Sequence, residues 1–250
     1  MTEKEMRRVE KSSFKNSWAI KEMTPSELLG RPLNDVERKY APKVVYVSGR
    51  IRIPLPGPRV AVIGTRNPSH EGIYAAAAIT RKLVERGVIV VSGLAKGIDT
   101  IAHKTAINAG GKTIAVLGTP LNKFYPAENR PLQELIMKEH MAISQYPIGH
   151  KTKPKDFVFR NRTMALISDA SIIVEAGKTS GVVSQGWETL RLGRPLFLWK
   201  LLLNKNLGWP EKMIKYGAII LNDLDELDYV IDNLFPSIEG VISIGEVEAP

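Results

Sequence analysis

Short apolar runs rich in β-branched residues alternate with longer segments of helical periodicity through the middle of the chain. This alternation predicts βαβ units around a parallel sheet. Strands are expected at 60–63, 88–91, 113–117, 141–144, 171–174 and 195–198, and helices at 70–86, 98–108, 131–139, 161–167 and 183–192. The runs VAVI, VIVV, TIAVL and SIIV are continuous rather than alternating, as a sheet covered by helices on both faces requires. The expected fold class is α/β, a doubly wound, mostly parallel sheet of extended Rossmann-like type with short N- and C-terminal appendages.

Before this core, KVVYVSG has the pattern of one more strand, and the proline-rich RIRIPLPGPR that follows predicts a turn-rich joint. In TPSELLG, Thr24 is placed to cap a short helix beginning at Pro25. After the core, WPEKMIKYGAIILNDLDELDYVID predicts a helix, a short strand and an acidic helix capped by Asp223, and the last dozen residues a loose tail. The chain therefore divides into an extension at 1–43, a core at 44–200 and an acidic extension at 201–250.

With 250 residues, 44% of them hydrophobic and 24% charged, the chain is long enough for one well-buried core, and its composition is far from that of disorder. The N-terminus mixes both charge signs and has no apolar core of a signal peptide, and no run of about 18 apolar residues follows. Neither secretion nor a membrane span is expected, and a cytoplasmic location is. Zero cysteines remove disulfides, thiolate metal sites and thiol nucleophiles. The net charge of +9 is unevenly spread, with 13 Lys/Arg against 7 Asp/Glu in 1–59, 19 against 10 in 60–200, and 3 against 9 in 201–250. A basic core suits a polyanionic partner or a solvated cationic surface equally on charge alone.

Four strand-to-helix loops carry candidate chemistry. In VAVIGTRNPSHEG the strand ends at Gly64, and Thr65, Arg66 and Ser69 precede a helix, an arrangement that can receive phosphate or simply cap the helix. VVSGLAKGIDTIAH repeats it with Ser92, Gly93, Lys96 and Gly97. Asp99 and His103, four apart, share a helix face, but two ligands without a third do not make a metal site, and both are read as structural. In HKTKPKDFVFRNRTMALISDA, Lys151, Lys153, Lys155, Arg160 and Arg162 interleave with Phe157 and Phe159. Cations and aromatics together suit a single nucleic-acid strand, although Phe159 is read as a core residue. VEAGKTSGVVSQGWETL places Glu175 at a strand end before Ser180 and Gly181. No set of nucleophile, base and orienting group is present, so no enzymatic activity, metal or cofactor is expected.

Taken in order, VAVIGTRNPSHEG, VSGLAKGIDTIAH, AGGKTIAVLGTPLNKFYPAEN, FVFRNRTMALISDASIIVEAGKTSG and LGRPLF resemble the DNA-processing protein A (DprA/Smf) family from about Tyr46 to Leu198. The resemblance implies an extended Rossmann core that binds single-stranded DNA, protects it during natural transformation and recombination, and helps to load a RecA-type recombinase, commonly as a homodimer. It implies an anion pocket of Gly64, Thr65 and Arg66 beside Ser92, Gly93 and Lys96. DNA contacts would come from the segment holding Lys155, Phe157, Arg160, Asn161 and Arg162, with Ser180 and Gly181 closing the pocket. Arg66→Ala and Arg162→Ala are expected to weaken binding most. The chain departs from the family pattern after Gly181 and beyond Leu198, where no winged-helix segment is recognisable. The alternative is a nucleotide sensor or a LOG-like phosphoribohydrolase, in which GKTSG and Glu188 would imitate a nucleotide site.

Overall fold

The computed structural model describes residues 19–178 and 181–235. In chain order these form β1 (Lys21–Met23), α1 (Pro25–Leu29), α2 (Asp35–Tyr40), β2 (Val45–Gly49), β3 (Arg59–Ile63), α3 (His70–Glu85), β4 (Ile89–Ser92), α4 (Ile98–Asn108) and β5 (Thr113–Leu117). Then follow α5 (Arg130–Glu139), β6 (Met141–Ser144), α6 (Pro154–Ile167), β7 (Ala170–Ile173), α7 (Gly181–Arg191), β8 (Leu196–Trp199), α8 (Trp209–Lys215), β9 (Ile219–Leu221) and α9 (Leu224–Leu234). The expected strands and helices of the core are all present. The two appendages are built into the same sheet, because β1 and β9 form its two edges. The loose tail expected for the last dozen residues lies outside the described residues.

The strand order is β1-β2-β6-β5-β4-β3-β7-β8-β9. The strands from β3 to β9 run parallel, while at one edge β2 pairs antiparallel with both β6 and β1. Alternate strand residues feed opposite cores. Ala61, Ile63, Ile114 and Val116 pack with Met164 and Ile167 of α6 and Trp209 and Met213 of α8. Val60, Val62 and Val90 pack with Ile79 of α3, Ala102 of α4 and Ile231 of α9. Both sheet faces are thus covered, which explains why the strand sequences are continuously apolar. From β3 the chain winds outward through β4, β5 and β6, then returns through α6 to place β7 on the other side of β3. The direction of winding reverses between β3 and β7. In open α/β sheets such a reversal leaves a crevice at the carboxyl ends of the two strands.

The capping signals read from sequence are realised. Thr24 and Glu27 exchange hydrogen bonds, Glu27 N–H donating to Thr24 Oγ1 at 3.2 Å and Thr24 N–H to Glu27 Oε2 at 2.7 Å. The Asp223 carboxylate accepts from the amides of Asp225 and Glu226 at the start of α9. The acidic helix α9 lies against basic positions of α3, with Lys82 2.7 Å and Arg86 3.2 Å from Asp228, and Arg86 also paired with Asp232. Part of the charge asymmetry of the chain is therefore met within the molecule. Among the described residues, no helix is long and apolar enough to cross a membrane.

One element departs clearly from its expected bounds. Helix α6 begins at Pro154 rather than at 161. Pro154 at its first position needs no amide partner, and Asp156 in its first turn accepts from Lys153 N–H at 2.7 Å. The alternation of cations and aromatics therefore lies on a helix, and residues two apart point in different directions. Phe159 is not a core residue. It is 36% exposed, and the cationic groups of Lys155 and Arg162 lie 6.0 and 5.2 Å from its ring centre.

Helix α2 is held to the core by a buried carboxylate. Glu37 is 3% exposed and accepts from Arg31 Nη2 at 2.7 Å and from Arg194 Nη2 at 3.0 Å. The hydrogen bonds from Arg31, outweighing burial, bring its pKa from 4.5 down to about 2. A depressed carboxylate stabilises the fold above its unfolded pKa, and that contribution fades as pH falls from 4.5 towards 2. Glu37→Gln is accordingly expected to lower stability by ~3 kcal/mol near neutral pH, the scale for breaking a buried pair. In melts monitored by circular dichroism, the gap between wild type and variant should close as pH falls through this window.

Candidate nucleic-acid interface

The crevice at the β3/β7 reversal is an open cleft of about 510 Å³. Its walls come from the loops after β3 and β7, from the start of α7 and from one face of α6. Gly64 leads out of β3 where a Cβ would stand 2.5 Å from Ile98 Cγ1 and 2.9 Å from Glu175 O. Only a residue without a side chain lets the two loops and α4 meet so closely. Thr65 ties them together, its amide donating to Glu175 O at 2.7 Å and its carbonyl accepting from Ile98 N–H at 3.2 Å. Arg66 follows at the rim, exposed and lining the cleft. Across from it stand Gly177 and Lys178 of the β7–α7 loop, both exposed, and Gly181 at the start of α7.

The floor is polar and tightly organised. Arg160 of α6, 7% exposed, donates from Nη1 to Gly93 O at 2.7 Å and to Val116 O at 2.6 Å. It thereby ties the carboxyl ends of β4 and β5 to α6. Asp99 accepts from the amides of Gly93 at 3.2 Å and Ala95 at 3.3 Å. Burial pushes the Asp99 carboxyl above its ordinary range and the Arg160 guanidinium below its own, and their mutual attraction opposes both shifts. Arg160 is engaged by main-chain carbonyls and Asp99 by main-chain amides beneath the cleft, so Arg66 and Lys178 are the exposed cations among its described lining. Phe157 and Val158 supply apolar surface. Asn161 Nδ2 donates to Gly181 O at 3.1 Å and joins α6 to α7.

The amino end of α3, where the sequence places an anion-receiving loop, already holds an anion. Glu175 accepts from Ser69 N–H at 2.9 Å and Ser69 Oγ at 3.1 Å, and its other oxygen pairs with Lys205. Burial would raise its pKa, but Lys205 and Ser69 together hold it below the usual carboxylate range. Ser69 also caps the helix by accepting from Gly72 N–H at 3.0 Å. The positive end of this helix dipole is satisfied from within.

Of the residues singled out from sequence, Gly64, Thr65, Arg66, Asp99, Phe157, Arg160, Asn161 and Gly181 line the cleft. Gly93 and Lys96 line a smaller depression that shares Arg66, Phe157 and Arg160 with it. Ser92 is fully buried and donates to Val62 O at 2.7 Å. Gly97, at φ 75°, is a loop crossing rather than part of the lining. Lys155 and Arg162 project from a different face of α6. Arg162 Nε donates to Glu188 Oε1 at 3.2 Å, and its guanidinium lies 5.5 Å from the Tyr40 ring centre. Ser180 lies outside the described residues. Sequence reasoning passed over Lys178, although it stands inside the quoted GKTSG, and Tyr125, which stands inside FYPAEN and lines the smaller depression.

His103 is fully buried, and its Nδ1 donates to Thr113 Oγ1 at 2.7 Å, since that hydroxyl itself donates to Val90 O. Burial lowers its pKa to about 3, so it is a neutral core residue. Glu188, needed for a nucleotide site built on GKTSG, is buried between Arg162 and Arg191 and is not in the cleft lining. No group of three or more metal-binding side chains is assembled among the described residues.

The sequence profile of the DNA recombination-mediator protein A family matches residues 27–231. The chain is 32% identical over 178 residues to the DNA processing protein DprA of Bacillus subtilis, covering 71% of this chain and 60% of that protein. It is 39% identical over 157 residues to DprA of Streptococcus pneumoniae, covering 63% and 55% respectively. The chain thus spans under two thirds of the length of these curated relatives. A solved structure from Helicobacter pylori, described as revealing the single-stranded DNA binding mode of DNA processing protein A, superimposes with a TM-score of 0.73 at 26% identity, covering 86% of this chain and 97% of that one. With the profile extending from α1 to α9, this chain belongs to the DNA recombination-mediator protein A family.

Proposed function

We propose that the chain binds single-stranded DNA in the β3/β7 cleft, through electrostatic contacts from Arg66 and Lys178 and stacking on Phe157, with no covalent chemistry. The observation that carries this reading is the cleft itself: exposed cations at a topological switch point, above a floor whose polar side chains are engaged by main-chain partners. A mobile phosphodiester strand needs neutralised phosphates and a sequence-tolerant stacking face, and both are within one cavity. On the same reading we assign it the protection of single strands and their delivery to a RecA-type recombinase in transformation, acting as a homodimer. The DNA-binding relative from Helicobacter pylori supports the ligand class.

Fluorescence anisotropy with a labelled oligothymidylate tests this reading. Each neutralised phosphate contributes a slope of about −0.7 in log affinity against log salt for single strands. With two phosphates engaged, by Arg66 and Lys178, affinity should fall by roughly 7-fold between ~50 and ~200 mM salt. Absence of binding at low salt would remove the proposal.

A further inference from the structure

We propose a second nucleotide subsite on the same molecule, at the carboxyl ends of β5 and β6, which takes the continuation of a single strand whose first part occupies the β3/β7 cleft. This inference rests on the proposed binding of single-stranded DNA and extends it to a site the motifs did not indicate. A separate open cleft of about 490 Å³ lies there, and Lys123, Phe124, Arg130 and His150 are among its walls. The guanidinium of Arg130 stands 4.8 Å from the Phe124 ring centre, and the His150 ring stacks on Tyr146 at 4.5 Å and 20°. Cationic and planar groups are thus combined again, as in the first cleft, and Lys123 and Arg130 are both exposed.

The first cleft adjoins the smaller depression, which shares Arg66, Phe157 and Arg160 with it and also has Lys96 and Tyr125 in its lining. Tyr125 is 48% exposed, and its ring sits 5.2 Å from that of Phe157, which lines the first cleft. Phe157 lines the first cleft, Tyr125 the depression and Phe124, the preceding residue in the chain, the second cleft. Cations accompany them, with Arg66 and Lys178 at one end, Lys96, in an exposed pair with Glu128 at 2.8 Å, in the middle, and Lys123 and Arg130, the latter in an exposed pair with Glu134, at the other.

The spacing suits one strand. From the β3/β7 boundary to the β5/β6 boundary the sheet advances three strand spacings, about 14 Å. At the ~3.4 Å rise of a stacked strand that is about four nucleotides, and fewer if the strand is extended. An oligonucleotide that fills the first cleft alone would leave the second empty. A longer one would reach Lys123 and Arg130 and gain their contacts.

The test is anisotropy across oligothymidylates of about 4 to 16 nucleotides, with wild type, Lys123→Glu, and the Lys123→Glu/Arg130→Glu double variant. Wild-type affinity is expected to rise at least ~10-fold with length, as two further phosphate contacts imply. The double variant should lose most of that rise, and Lys123→Glu should lose part of it. Variants that follow the wild-type length curve would overturn the second subsite while leaving the first cleft standing. Wild-type protein that binds no oligonucleotide would overturn both. Both side chains are exposed, and the single variant preserves the Arg130 to Glu134 pair at 2.8 Å, so the comparison holds even if the double variant folds poorly.

Discussion

Arg66→Glu is expected to weaken oligothymidylate binding by at least ~30-fold at moderate salt, while its melting temperature stays at the wild-type value. A hydrogen bond to a charged group is worth ~1.5–3 kcal/mol, and reversing the charge adds repulsion of the phosphate to its loss. The fold should not suffer. Arg66 is exposed, and its positive charge acts against that of buried Arg160, so its removal relieves a like-charge interaction. Arg162→Ala is the decisive companion. Sequence reasoning ranks the two arginines together, but Arg162 is turned towards Glu188 and Tyr40, and its loss should change affinity by less than ~3-fold, the scale of one distant screened charge. Equal losses for both variants in anisotropy titrations would mean that the strand follows the outer face of α6 instead of the cleft.

Gly97→Ala is expected to cost ~3 kcal/mol or more and to disturb binding through its effect on the first loop. Gly97 has φ 75° and ψ −127°, a conformation open essentially to glycine alone. A Cβ there would also stand 2.7 Å from the backbone C and O of Arg66. That obstacle is backbone, which cannot swing aside as a side chain can, so the two loops must separate. Gly110 offers the control, since it has the same φ of 75° with nothing within 4 Å of an added Cβ. Gly110→Ala carries only conformational strain, ~1 kcal/mol. In a domain of this size the Gly97 variant should melt about 6–12 °C below wild type, with the Gly110 variant much closer to it. Equal shifts would show that the loop approach contributes nothing beyond the glycine conformation.

Much of the architecture was legible in the sequence because its signals are local. The continuous apolar runs at β3, β4, β5 and β7 identified buried parallel strands, and Thr24, Pro25 and Asp223 marked helix starts through contacts within three residues. The glycine-bearing loops at strand ends located the edge where the cleft lies. Misreadings arose where two local codes overlap. Lys153, Lys155, Phe157 and Phe159 recur at every second position, yet a proline at the first turn and Asp156 behind it start a helix there. That helix turns Phe157 into the cleft and Phe159 towards solvent.

What the sequence determined by itself is the α/β class, the order of elements and the family, since each depends on periodicity and spacing along the chain. Tertiary structure alone decided which polar groups are available to a ligand. Arg160 and Arg162 are two residues apart and chemically identical, but one is spent on the carbonyls of Gly93 and Val116 and the other on Glu188. Glu175 fills the start of α3 from 106 positions away, and Arg194 reaches Glu37 across 157. A charged side chain serves binding or folding according to which partner the fold brings within about 3 Å of it. That distance depends on how distant segments pack, which no local pattern encodes.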